Sequence, residues 1–109
     1  VLVTKGHPEE QRLKIDRSGL APYFRRAVIL AEKDRVAYER IVVELDCHPV
    51  RTWMIGNSPR SDINPALEAG LNAVYIPHEA TWRLEHEELR EGSGRLLVVE
   101  RFIDLLEHF

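Results

Sequence analysis

The sequence predicts an α/β fold with a mainly parallel sheet covered by helices on both faces. Two observations carry that prediction. The first is the stretch from Arg51 to His78: a short apolar run, Thr52 to Ile55, stops at Gly56 and gives way to a polar loop. Ile63, Ala66, Leu67 and Gly70 then recur at i, i+3, i+4 and i+7, and a second apolar run spans Ala73 to Ile76. Strand, loop, helix and strand in this order make a parallel βαβ unit. The second observation is that the rest of the chain repeats the alternation of short apolar runs with helical patterns, which calls for a mainly parallel, doubly covered sheet.

Each element has its own signal. Val1 to Val3 is the tail of a strand, and Thr4-Lys5-Gly6-His7 follows as a turn. Pro8 suits a first helical position, Glu9 and Glu10 suit the positive end of the helix dipole, and the helix runs to about Ser18 with Gly19 as its C-cap. Its apolar face is thin (Leu13, Ile15 and Leu20), so it should be half exposed. Ala27 to Ala31 is a buried-strand candidate. After Glu32-Lys33-Asp34, the residues Tyr38, Ile41, Val42 and Leu45 form an amphipathic stripe that His48-Pro49 ends. Beyond the central unit, Thr81 caps a short acidic helix through Trp82, Leu84 and Leu89, and Gly92-Ser93-Gly94 breaks the chain. Leu96 to Val99 is a last strand, and Phe102, Leu105, Leu106 and Phe109 give a final helix with one strongly apolar face.

Composition narrows the classes of function. A chain of 109 residues, 44% hydrophobic and 30% charged, is an ordinary globular domain, long enough for one and too short for two. A formal net charge of -3 argues against nucleic acid as the main partner, because phosphate backbones call for a basic surface. Cys47 is the single cysteine and cannot form an internal disulfide, which favours a reducing compartment. No apolar run approaches the roughly 20 residues of a membrane span, and Val1-Leu2-Val3 reads as a strand and not as a basic-then-apolar signal pattern. A cytoplasmic protein is the expectation.

Four residues stand where a strand ends or a helix begins. Thr4 offers a hydroxyl beside turn amides, as a phosphate ligand or simply as a turn residue, with Lys5 next to it. Lys33 either places a positive charge on a phosphoryl group or starts a helix in solvent. Asp62 is either a first-turn acid complementing the helix dipole or an oxygen ligand of a hard cation such as Mg²⁺. Asn57 adds a neutral amide oxygen. In open α/β sheets ligands bind at the carboxyl ends of strands, where the Gly56 to Asp62 loop belongs.

A hydroxyl, then a lysine, then Gly-Asn-x-x-x-x-Asp, each near a strand end in this order, resembles the haloacid dehalogenase-like (HAD) hydrolase superfamily over nearly the whole chain. Val1-Leu2-Val3-Thr4 is similar to that superfamily's second motif, whose Thr or Ser binds the transferring phosphoryl group. Lys33 is similar to its third, and Gly56-Asn57-Ser58-Pro59-Arg60-Ser61-Asp62 with the helix that follows is similar to its fourth, the acidic magnesium motif. The resemblance implies a Rossmann-like three-layer α/β/α core in one domain over residues 1–109. It implies a Mg²⁺-dependent phosphatase of a small phosphorylated metabolite, working through an aspartyl-phosphate. Under it, Lys33 is catalytic, Thr4, Lys5, Asn57 and Arg60 contact phosphate or substrate, and Asn57 and Asp62 hold the metal.

Two departures bear on that expectation. Asn57 stands where the fourth motif usually has its first aspartate, which removes a negative charge from the metal site. The first motif, Asp-x-Asp-x-Thr/Val, does not occur, so these residues lack the family's nucleophile and its general acid/base. The family's sheet sets the first-motif strand between those ending at Thr4 and Ile55, and without it two buried edges would go unpaired. The expectation is a core incomplete at its amino terminus and inactive by itself. The competing reading is a non-catalytic HAD-like fragment or pseudoenzyme that self-associates through the open edge as an assembly or binding module. Remaining signals are bland: the five histidines show no i, i+4 pairing, Cys47 is a packing residue, and Glu85-His86-Glu87-Glu88 is a solvated helix face. Trp82 and Arg83 are assigned to packing near the site mouth.

Overall fold

The computed structural model describes residues 1–78, 88–89 and 94–109, and its strands fall into two parallel sheets. The chain divides into two compact units, Val1–Lys33 and Asp34–Phe109. The acidic helix expected from Thr81, with Trp82, Arg83 and residues 85–87, lies outside the described residues. None of the described helices is long and apolar enough to cross a membrane.

In the first unit, β1 (Leu2–Lys5) pairs in parallel with β2 (Ala27–Leu30), in the register Leu2 to Ala27 through Lys5 to Leu30. Helix α1 (Pro8–Ser18) connects them, with Pro8 at its start, Glu9 and Glu10 in its first turn, Arg17 in its last, and Gly19 as a left-handed C-cap. Those bounds are the ones its capping residues predict. Of its thin apolar face only Ile15 is buried; Leu13 and Leu20 are exposed. Two local expectations are corrected. Thr4 and Lys5 belong to the strand, and the turn begins at Gly6, whose N–H extends the ladder to the Leu30 carbonyl. Strand β2 is only half-buried along its length, not a core strand.

In the second unit, the Asp34 side chain caps α2 (Arg35–Glu44) by accepting from the Ala37 N–H. Tyr38, Ile41 and Val42 of the expected stripe are buried, while Leu45 is only half-buried. The helix ends before His48-Pro49. Asp46 turns left-handed at φ 52, and the N–H groups of Asp46 and Cys47 return to the carbonyls of Val43 and Val42. This double closure satisfies carbonyls that the last turn would otherwise leave open.

Strand β3 (Trp53–Gly56) then pairs with β4 (Asn72–Tyr75), which pairs with β5 (Leu96–Val98), all in parallel. A π-helical turn, Pro59–Ile63, runs into α3 (Asn64–Glu68), and the same double closure at Gly70 (φ 89) hands the chain to β4. Asn72, itself buried, ties three segments together: its amide donates to the Val50 carbonyl at 3.0 Å and its side-chain oxygen accepts from the Arg95 N–H at 2.9 Å.

Alternation along these strands sends side chains to opposite faces. Ala73, with Tyr75 and Leu96, packs against Ile63 and Leu67. Val74, with Trp53, Ile76 and Leu97, packs against Val99 and Leu105. The second face is thus closed by the carboxy-terminal segment. There the expected amphipathic α-helix is instead a 3₁₀ helix, Phe102–Glu107, of which Leu105 is buried while Phe102, Leu106 and Phe109 are exposed. A tight 3₁₀ turn cannot present a broad stripe, since its side chains eclipse every third residue. Phe109 still reaches Trp53, edge to face, with ring centroids 5.1 Å apart.

Burial decides which of these apolar residues hold the fold. Leu67→Ala, fully inside the second unit, should lower unfolding free energy by about 2–5 kcal/mol, whereas Leu106→Ala on the exposed face should stay within about 0.5 kcal/mol of the parent. Urea unfolding monitored by circular dichroism separates the two.

Candidate active site at the carboxyl end of β3

The loop after β3 is organised by Ser58 and Asp62. The Ser58 hydroxyl accepts the Ser61 N–H at 3.0 Å, capping the π-helical turn, and Pro59 follows where a missing N–H costs nothing. The Ser58 carbonyl accepts both the Asp62 N–H (2.9 Å) and the Ile63 N–H (3.1 Å). In return the Ser58 N–H donates to Asp62 Oδ2 at 3.1 Å. The carboxylate is therefore folded back over its own loop and comes to rest on Gly56. A Cβ at Gly56 would overlap Asp62 Oδ2 and lie 2.5 Å from its Cγ. Any side chain there would evict the acid.

Helix α2 supports this loop from beneath. Pro65 has no N–H to give the carbonyl four residues back, that of Ser61. The Tyr38 hydroxyl donates to that carbonyl at 2.8 Å. Burial, and after it the Asp62 charge, push the Tyr38 phenol far above its ordinary value of 10.0, so it remains a neutral donor. Among the described residues no buried side-chain nitrogen or oxygen lacks a hydrogen-bond partner.

Above Asp62 opens a pocket of about 280 Å³, lined by Ile55, Gly56, Asn57, Asp62, Ile76, His78 and Phe102. Its place is the carboxyl ends of β3 and β4, where α/β sheets bind ligands. Asn57 is exposed at its rim and Asp62 is buried at 5% exposure. Arg60 stands exposed on the same π-helical turn but does not line the pocket. The structure thus brings Asn57 and Asp62 to one cavity.

The other candidates sit in the first unit, at the carboxyl end of its own strand pair. Thr4 is half-buried and its hydroxyl donates to Gln11 Oε1 at 3.0 Å. Lys5 Nζ meets Glu32 Oε1 at 3.2 Å, an exposed pair of small energetic weight. Lys33, half-buried, follows β2 as the last residue of that unit.

Sequence reasoning passed over Tyr38 as one more residue of an apolar stripe, and over His78 and Phe102 altogether as pocket residues. A signal for the Ser58 cap was present in the Ser-Pro pair opening a helix. For Phe102 there was none, because its place depends on how the last segment crosses the sheet.

A sequence model of the HAD-hydrolase-like family matches residues 33–105, which take in Lys33, the whole Gly56–Asp62 loop and Phe102. The chain belongs to this family. It is 30% identical over 80 residues to the phosphoserine phosphatase of Thermus thermophilus, in a match covering 69% of this chain and 32% of that protein. The HAD-like chain thus spans about a third of the length of that curated relative. A haloacid dehalogenase-like family hydrolase from Xanthomonas campestris superposes with a TM-score of 0.68 at 38% identity, over 83% of this chain and 38% of the other. An uncharacterized protein from Listeria monocytogenes serotype 4b shares the fold, with a TM-score of 0.73 at 20% identity over 92% and 61% of the two chains. The fold is the Rossmann-like α/β fold of the HAD-like hydrolases. Thr4 and Lys5 lie ahead of the matched residues.

Two outcomes follow from this geometry. Tyr38 holds its proton in the folded state above the pH at which an unfolded tyrosine loses it. Its contribution is therefore complete below about pH 10 and is lost as pH climbs beyond that value. The parent should lose stability above pH 10 more steeply than Tyr38→Phe, which at neutral pH should cost about 1–3 kcal/mol for the lost buried hydrogen bond to the Ser61 carbonyl. Equilibrium unfolding at a series of pH values measures both. Gly56→Ala should displace the Asp62 loop while leaving the β4–β5 pair intact, which amide-exchange protection of the two regions would resolve.

Proposed function

We propose that the protein to which these residues belong is a Mg²⁺-dependent phosphatase of small phosphomonoesters. One observation supports this reading above the others: a single buried carboxylate, Asp62, is fixed by a backbone N–H and a glycine at the base of a pocket at the carboxyl ends of parallel strands. The phosphatase activity named for the Thermus relative agrees with it. The proposal places the aspartate nucleophile in a part of the protein outside these 109 residues, since no Asp-x-Asp occurs within them.

The donor set suits magnesium in part. Among the described residues no group of three or more His, Cys, Asp and Glu side chains is placed to hold an ion. Mg²⁺, however, is commonly bound through one or two carboxylates, with waters and substrate phosphate completing its shell. Asp62 would supply the carboxylate and Asn57 a neutral oxygen. Bound there, the ion would neutralise charge developing on the phosphoryl oxygens. The Ser58 N–H would keep the Asp62 carboxylate from rotating away, and Tyr38 would hold the turn that carries it. By resemblance, the Thr4 hydroxyl and Lys5 would bind phosphate oxygens, Arg60 would reach an anionic substrate, and Lys33 would stabilise the charge of nucleophile and phosphate.

The test uses the protein as its source cell makes it. Phosphate release from a panel of small phosphomonoesters should require Mg²⁺ and stop with EDTA. Losing even the supporting partner of a metal ligand costs about 10- to 100-fold, so Asp62→Asn should lower kcat/KM by more than about 100-fold. Turnover indifferent to both EDTA and Asp62→Asn would refute the magnesium assignment. No release at all, with a mass that grows with concentration, would instead favour self-association through β3, an edge strand of its sheet.

A further inference from the structure

We infer that the pocket over Asp62 selects phosphomonoesters with an apolar, flat leaving group such as an aryl ring, and that Phe102 is the residue that sets this preference. The inference depends on the phosphatase reading and narrows its substrate class. The pocket is two-sided: Asn57 and Asp62, with His78, give it polar groups, while Ile55, Ile76 and Phe102 give it an apolar wall. A phosphomonoester has the same division whenever its alcohol part is apolar.

Phe102 is held in place although its ring is in solvent. On one side Val99 is buried, and on the other Leu105 is buried against Val74. Between them the Arg101 N–H donates to Asp104 Oδ2 at 3.1 Å and Arg101 Nη2 to Asp104 Oδ1 at 3.0 Å, closing the first turn of the 3₁₀ helix. The backbone that carries Phe102 is therefore fixed while the ring, 71% exposed, borders the cavity. An aryl group laid against it gains aromatic contact and covers Ile55 and Ile76. A leaving group bearing an ammonium and a carboxylate, as in phosphoserine, would lose hydration against the same wall, with His78 the only further polar side chain among the described lining residues to offset it. At about 280 Å³, a little below the usual range of small-ligand sites, the open cavity has room for a single ring.

The experiment compares kcat/KM for phenyl phosphate and phosphoserine on the full natural protein, alongside its Phe102→Ala and Phe102→Trp variants. Expected is a preference for phenyl phosphate. Phe102→Ala should reduce the phenyl phosphate to phosphoserine ratio by about 5- to 10-fold, mainly through KM, and Phe102→Trp should restore it. Thermal unfolding should be nearly the same for all three proteins. Equal use of the two esters, or a ratio untouched by Phe102→Ala, overturns the inference and leaves the phosphatase reading standing. Release from neither ester, nor from any other phosphomonoester, overturns that reading and takes the inference with it.

Discussion

The contact between the Asp62 carboxylate and the bare backbone of Gly56 is the constraint on which the site depends. A buried carboxylate is costly unless hydrogen bonds or a counter-charge replace its water. Here the Ser58 N–H provides one such hydrogen bond, across a turn, Pro59–Ile63, that is wound wider than an α-helix. The wide turn in turn lets one carbonyl, that of Ser58, accept two successive N–H groups. Strand end, turn type and acid are thus one arrangement. Single π-helical turns within helices often mark functional positions, and this one opens the helix at the pocket.

Tyr38 and Pro65 extend that arrangement into the core. Proline withholds a donor from the Ser61 carbonyl, and a tyrosine on a different helix supplies one. The outcome is a polar link between α2 and the loop, whose phenol is kept protonated by burial and, after it, by the Asp62 charge. The carboxy-terminal segment performs the matching task on the other face of the sheet. Leu105 fills the core, Phe109 meets Trp53, and Phe102 is left at the pocket, so one short 3₁₀ stretch both closes the sheet and shapes the cavity.

How much of this is legible in the sequence varies with how local the cause is. Helix α1 is legible from both ends, because Pro8, the paired glutamates and Gly19 act within one or two turns. The Gly-x-x-x-x-x-Asp loop and its helix were readable for the same reason, and the family assignment follows from them. Thr4 was misplaced by a turn's width because Gly6, not Thr4, carries the change in backbone direction. The end of α2 was misplaced because Asp46 adopts a left-handed conformation that its identity permits but does not announce. The final helix is not legible in its type, because apolar spacing does not distinguish a broad α-helical face from a 3₁₀ turn that buries one residue and exposes its neighbours. Tyr38 and Phe102 owe their roles to residues far along the chain, and no local pattern encodes such pairings.

Asn57 gives the site its remaining asymmetry. An aspartate there would set a second negative charge beside Asp62, raising the pull on a cation and, with no cation bound, the repulsion between the two acids. The amide keeps an oxygen donor and removes both effects. With Asp62 the one carboxylate among the described residues that line this pocket, a cation bound there would draw further charge balance from the substrate phosphate or from other residues. That division of labour fits a chain that carries the acidic loop and no Asp-x-Asp. The loop's own hydrogen bonds help to keep that acid in place, the Ser58 N–H holding its carboxylate over Gly56.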